Sequence, residues 1–226
     1  MTHRIFFTAA LLLSLAVCSN AQFSVGISTG ANMSFWEWRM EALNLDLDYD
    51  PGLGFRTALQ AGYQLTPGFG LQLEGAFQRI SNRFDVELTD ANGSSTGQMH
   101  RISTVFNSVG GSLLLKFSPL KKLPGLYLAT GPTFVHFTDG WWRIPGGAVE
   151  GRPKAWRDHF KLNESPARPD QWLADFGLGY AHGFGGKNRL AVDLRFQHGL
   201  NNFSDVEGIN ARVQNLLLSV GFQRNL

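Results

Sequence analysis

From 22 to 33 the chain alternates between apolar and polar positions. Phe23, Val25, Ile27, Thr29, Ala31 and Met33 share one face of an extended segment, and Ser24, Gly26, Ser28, Gly30 and Asn32 share the other. Successive side chains on a strand point to opposite faces, so this segment parts two environments. The alternation returns at 54–65, where Phe55, Thr57, Leu59, Ala61, Tyr63 and Leu65 oppose Arg56, Ala58, Gln60, Gly62 and Gln64. Thr66-Pro67-Gly68 is a turn by its chemistry. A third strand starts at Phe69, with Phe69, Leu71, Leu73, Gly75 and Phe77 against Gln72, Glu74, Ala76 and Gln78. The pattern lapses between Arg79 and Arg83, where a bulge or an exit into water is expected.

Five further segments follow. Over 102–117, Val105, Val109, Leu113, Leu115 and Phe117 oppose Ser108, Gly110, Ser112 and Lys116, with Asn107 and Leu114 out of place. Segment 126–137 carries apolar residues on both faces and a proline, Pro132; Tyr127, Ala129, Thr133, Val135 and Phe137 are taken as its outward face. Trp172, Ala174, Phe176, Leu178 and Tyr180 oppose Asp175, Gly177, Gly179 and Ala181. Leu190, Val192, Leu194 and Phe196 oppose Ala191, Asp193, Arg195 and Gln197. Leu216, Leu218, Val220, Phe222 and Leu226 oppose Asn215, Ser219 and Gln223, with Leu217 the exception.

Eight strands leave seven connections. The odd ones hold about 20, 16, 32 and 10 residues and the even ones about 3, 8 and 6, which is the long-outside, short-inside rhythm of outer-membrane barrels. The expected fold is all-β: an eight-stranded antiparallel up-and-down transmembrane β-barrel, with both termini on the periplasmic side. A soluble secreted barrel or sandwich would instead bury the apolar face in its own core. Three observations favour lipid. Aromatic residues fall at two levels, Phe23, Tyr63, Phe69, Phe117, Tyr127, Tyr180 and Phe222 at one, Phe35, Phe55, Phe77, Phe137, Trp172 and Phe196 at the other. The polar face carries three charges of each sign, Arg56, Lys116 and Arg195 against Glu74, Asp175 and Asp193. In a lumen just wide enough for side chains to fill, these must pair or be hydrated. Closure of an even-stranded sheet also removes the edges that lipid does not tolerate.

Composition narrows the choice. No apolar run reaches the ~20 residues of a membrane-spanning helix. A formal net charge of +2 makes no case for nucleic acid. Residues 1–21 read as a signal peptide: His3 and Arg4, an apolar stretch from Ile5 to Val17, then the small-residue site Ser19-Asn20-Ala21. The barrel domain is then 22–226. The one cysteine, Cys18, falls in the signal, so the mature chain is expected to have no disulfide, thiolate metal site or Cys nucleophile. A lipidated Cys18 is the rival reading, with Val17 where a small residue is expected.

Several short stretches carry a resemblance to a known group. Tyr127-Leu128-Ala129-Thr130-Gly131-Pro132, Asp175-Phe176-Gly177-Leu178-Gly179-Tyr180 and the run from Leu194-Arg195-Phe196 through Gln197-His198-Gly199-Leu200-Asn201-Asn202 resemble the PorT-like family of small outer-membrane β-barrel proteins. The resemblance implies an envelope location and, for some members, a link to protein secretion. The chain departs from the usual terminal aromatic residue by ending in Leu226, with Phe222 four residues earlier.

Chemistry-bearing groups are sparse. His100, His136, His159, His182 and His198 lack paired-His spacing, so no metal and no cofactor is expected. His136 is expected to point inward near the rim, and His182 and His198 outward near strand ends. Asp158-His159 with Ser165 is the one grouping that an acyltransferase or hydrolase could use. The third long loop, 138–169, gathers Trp141, Trp142, Arg143, Arg152, Trp156 and Arg157, residue types enriched at binding hot spots. It could contact a glycan, lipopolysaccharide head groups or a protein partner, or fold over the barrel mouth. For the barrel as a whole the expected partners are outer-membrane lipid, lipopolysaccharide and an envelope protein. Trp36, Trp38 and Tyr49 sit with Glu41, Asp46, Asp48 and Asp50 in an acidic first loop that could attract it. The leading expectation is a non-enzymatic outer-membrane barrel with a filled lumen and interacting loops. A passive small-solute channel, a surface enzyme and a soluble lipid carrier are the alternatives.

Overall fold

The computed structural model describes residues 22–40, 45–48, 50–89, 95–120, 122–123, 125–146, 154–160 and 167–226. The proposed signal segment, together with Glu41, Tyr49, Arg152 and Ser165, lies outside them. Ten strands are described: β1 (Gln22–Met40), β2 (Leu45–Asp48), β3 (Asp50–Thr66), β4 (Phe69–Thr89), β5 (Ser95–Phe117), β6 (Leu126–Ile144), β7 (Trp156–Phe160), β8 (Asp170–Phe184), β9 (Asn188–Gly199) and β10 (Ile209–Asn225). Eight of them close a ring in the order β1-β3-β4-β5-β6-β8-β9-β10, with β10 back on β1 and every pairing antiparallel. The expected closed barrel is therefore the observed one. β2 and β7 are additions, flaps that pair with the far ends of β1 and β6 where β3 and β8 have run out.

The strands outrun their sequence reading. β4 and β5 stay in register from Phe69↔Phe117 to Glu87↔Met99, so most of the expected second loop is a protruding hairpin. The lapse at 79–83 is not a bulge on β4. Opposite it, β3 carries one extra residue between Pro51 and Phe55, which turns Asp50 outward toward Arg83. β6 has a second such irregularity. Ser108 pairs with Phe137 but Asn107 pairs with Asp139, leaving Thr138 unmatched. Beyond it the faces of β6 exchange parity.

The exterior is apolar on all eight walls. Val25, Leu59, Leu73, Leu113, Leu128, Phe176, Leu194 and Leu218 are among the exposed large side chains, Leu59 at 69%. Aromatic neighbours mark the two rims: Phe69–Phe117 and Phe184–Phe222 at the end that holds the termini, Phe55–Phe77 and Phe134–Trp172 toward the other.

β6 reverses the expected orientation. Tyr127, Ala129, Thr133, Val135 and Phe137 are buried in the lumen, and Leu128, Thr130 and Pro132 are exposed. Tyr127 and Phe137 therefore leave the aromatic rims. His136 also points out rather than in, with Nδ1 2.7 Å from Asp170 Oδ1. The physical reason is that part of the lumen is itself apolar, so hydrophobicity alone does not mark the outer face of this strand. Tyr127 further requires a residue without a side chain beside it: a Cβ on Gly179 would collide with the Tyr127 ring.

Candidate functional site

The lumen is built in layers. In the middle sits Glu74, on β4 and 1% exposed. Its Oε2 accepts from Arg56 Nη2 at 2.6 Å and from Arg195 Nη1 at 2.8 Å. Its Oε1 accepts from Arg195 Nη2 at 2.7 Å, Gln60 Nε2 at 3.0 Å and Gln72 Nε2 at 2.5 Å. Two guanidinium groups and two amides thus saturate one carboxylate. Arg195 binds it through two parallel bonds, the fork geometry that makes such pairs strong. β9 lies four places from β4 in either direction round the ring, so this contact spans the lumen as a crossbar.

The other expected lumen charges do not form simple pairs. Asp193 Oδ1 accepts from Tyr127 Oη at 2.5 Å and lies 3.9 Å from Arg195 Nη2. Asp175 Oδ1 accepts from Gln197 Nε2 at 2.9 Å, and Gln197 in turn accepts from Asn215 at 3.2 Å. Lys116 has no carboxylate within ion-pair distance among the described residues; its Nζ rests 4.1 Å from the centroid of the Tyr127 ring. The amides Gln60, Gln72, Gln197 and Gln223 complete the network. Sequence reasoning placed the charges and put these amides on the polar face without giving them a role, while it set Tyr127 on the outward face.

Toward the loop end the lumen becomes apolar. Trp36, Ile80, Phe106, Val135, Phe137, Leu173, Phe203, Ala211 and Val213 form one buried cluster. Trp36 stacks on Phe106 at 5.0 Å and meets Phe203 edge-on at 4.7 Å. Phe203 enters from the connection between β9 and β10, its N–H donating to Ala211 O at 2.8 Å. Trp36 is thus a plug residue, not a member of an exposed first loop. At the terminal end the lumen opens into a cavity of about 720 Å³ lined in part by Gln64, Gln72, Lys116, Tyr127, Arg189 and Gln223. Neither Glu74 nor Arg195 lines it, so the cavity stops short of the crossbar.

The expected third-loop cluster is divided by the structure. Trp141, Trp142 and Arg143 belong to β6, and Trp156 and Arg157 to the flap β7 that pairs with it. Trp141 faces outward, in contact with His159 at 5.7 Å and under the Arg79 guanidinium at 5.1 Å. Arg79 also lies over Phe55 at 5.4 Å and donates Nε–H to Asn107, which donates to Asp139. Trp142 turns to the opposite face and packs on Phe160 at 5.1 Å. Asp158 and His159 are consecutive strand residues on opposite faces, so Asp158 does not orient that imidazole.

A closed eight-stranded antiparallel ring with an apolar exterior and a filled interior is the architecture of the small outer-membrane β-barrels. No protein-family model and no curated protein matches the chain. Among solved structures it is similar to Neisserial surface protein A, at 12% identity over 92% of this chain and 100% of that one, TM-score 0.45. It is also similar to OprG from Pseudomonas aeruginosa, at 13% identity over 91% and 96%, TM-score 0.48. A major outer membrane protein from Thermus thermophilus aligns at 17% identity over 92% and 100%, TM-score 0.47. Likeness this distant assigns no role, ligand or partner.

Proposed function

We propose that this is a non-enzymatic bacterial outer-membrane barrel of the PorT-like kind, sealed to solutes and acting through its loop end. Its partners on this reading are outer-membrane lipid, lipopolysaccharide and an envelope protein, the last in keeping with a secretion-related assembly. Both termini face the periplasm. The observation that carries the reading is the inversion of the fold: large apolar side chains cover the outside of all eight walls, while Glu74, Arg195 and Arg56 are enclosed. In water such an exterior would be a continuous hydrophobic patch far larger than soluble monomers expose.

The mature chain should fold only with detergent or lipid and migrate at two apparent masses, heated and unheated. A folded, monodisperse monomer in plain buffer would overturn the proposed location. The passive channel remains the second reading because the terminal-end cavity of about 720 Å³ reaches into the barrel. The crossbar and the aromatic plug above it argue for closure. Planar-bilayer recording should show no steady conductance, and stable single-channel steps would favour the channel instead.

A further inference from the structure

One row of side chains runs across four strands on the outer wall at the loop end. Arg83 on β4 is opposite Ser103 on β5, Ser103 is opposite Arg143 on β6, and Arg143 is opposite Arg157 on β7. All four share the outward face, since Asn82 and Thr104 beside them are buried and Arg143 follows Trp141 in parity. Like charges directly opposite on a sheet lie about 5 Å apart at Cβ and repel. Asp50 on β3 stands opposite Arg83 at the end of the row, but with Asp85 it holds Arg101, and Asp139 accepts from Asn107. Among the described residues no carboxylate lies within ion-pair distance of Arg83, Arg143 or Arg157. Three cations and a hydroxyl in one line are a template for an anion with several oxygens.

The place of the row identifies that anion. Two residues below it, about 7 Å along the strands, lie Val105 and Trp141; past the hydrogen-bonded row Arg79–Asn107–Asp139, the apolar wall starts at Phe77 and Val109. An amphiphile with its phosphate on the arginines would lay its acyl chains down that wall. We propose that the β4–β7 wall is a binding site for a phosphorylated glycolipid of the outer leaflet, with Arg143 and Arg157 as the phosphate clamp and Arg83 and Ser103 as further contacts. This rests on the outer-membrane reading above and gives the lipid partner named there a site.

The test uses the full mature chain in nonionic detergent micelles, with binding followed by native mass spectrometry. The probes are bisphosphorylated lipid A, its enzymatically dephosphorylated form, and inorganic phosphate as competitor. Lipid A should bind at least about tenfold more tightly than the dephosphorylated form, and the double variant Arg143→Gln/Arg157→Gln should lose at least about tenfold. Arg212→Gln, at the loop end of β10 on another wall, should leave binding unchanged. Equal binding by the wild type and the double variant, both heat-modifiable and hence folded, overturns the site while leaving the location standing. Displacement of lipid by millimolar phosphate also overturns it, in favour of a small-anion site. A chain that folds without detergent would sink the location reading itself.

Discussion

Arg195 and Glu74 are 121 positions apart in sequence and on opposite walls of the barrel, yet they meet at the centre of the lumen through two hydrogen bonds of 2.7 and 2.8 Å. Because Arg56 also ends on Glu74, one carboxylate sits between two cations. Buried charges of this kind are retained only when fully partnered, since an isolated one carries a large desolvation cost. The arrangement ties β3, β4 and β9 together through the interior.

Replacing Glu74 with Gln should therefore destabilise the barrel by about 3–5 kcal/mol, because two buried guanidinium groups lose their counter-charge. Adding Arg195→Leu to that variant should recover part of the loss, since the groups are coupled. Urea unfolding in lipid vesicles, followed by tryptophan fluorescence, reads both changes. Simple additivity would mean that the crossbar is not an energetic unit.

Leu59→Arg probes the outer face. Leu59 lies midway between Phe55 and Tyr63 on β3 and is exposed. An exposed position on a soluble protein tolerates such a change to within about 0.5 kcal/mol. At a bilayer midplane it should cost about 2–4 kcal/mol. The same unfolding assay distinguishes the two figures, and a neutral outcome would count against lipid contact.

Phe106→Ala should cost about 3–5 kcal/mol by opening a cavity beneath Trp36, Phe137 and Phe203. It should also quicken proteolysis in the β9–β10 connection, because Phe203 loses a neighbour there. Mass spectrometry of limited digests would locate the cuts; an unchanged pattern would show that the plug does not hold that connection.

The protruding β4–β5 hairpin should loosen in acid. Arg101 donates to both oxygens of Asp85, at 2.9 and 3.0 Å, and holds that carboxyl below its ordinary value of 3.8. A depressed folded-state value means the stabilisation is fully present above the unfolded-state value and is lost as pH falls through the folded-state value. Amide exchange around 85 and 101 should accelerate below about pH 4 in the native protein. Asp85→Asn should abolish that pH dependence; if the variant retains it, another group is responsible.

Seven of the eight walls were legible from period-two alternation, because lipid outside and a polar lumen inside impose opposite demands on neighbouring residues. Arg56, Glu74, Asp175, Asp193 and Arg195 were legible as inward charges for the same reason. The eighth wall, β6, was not: Tyr127, Val135 and Phe137 look like lipid-facing residues, but Val135 and Phe137 fill an aromatic plug to which several strands and a connection contribute, and Tyr127 joins the polar network below it. Leu114 and Leu217, which broke the pattern, are buried inward. Local sequence determines which residues alternate and where turns fall, since those depend on neighbours along the chain. Only closure of the ring decides which inward groups meet. Glu74 takes Arg195 from the far wall as well as Arg56 from the adjacent strand because the lumen is narrow enough for opposite walls to touch. The row from Arg83 to Arg157 likewise exists only once the added residue in β6 has set the register.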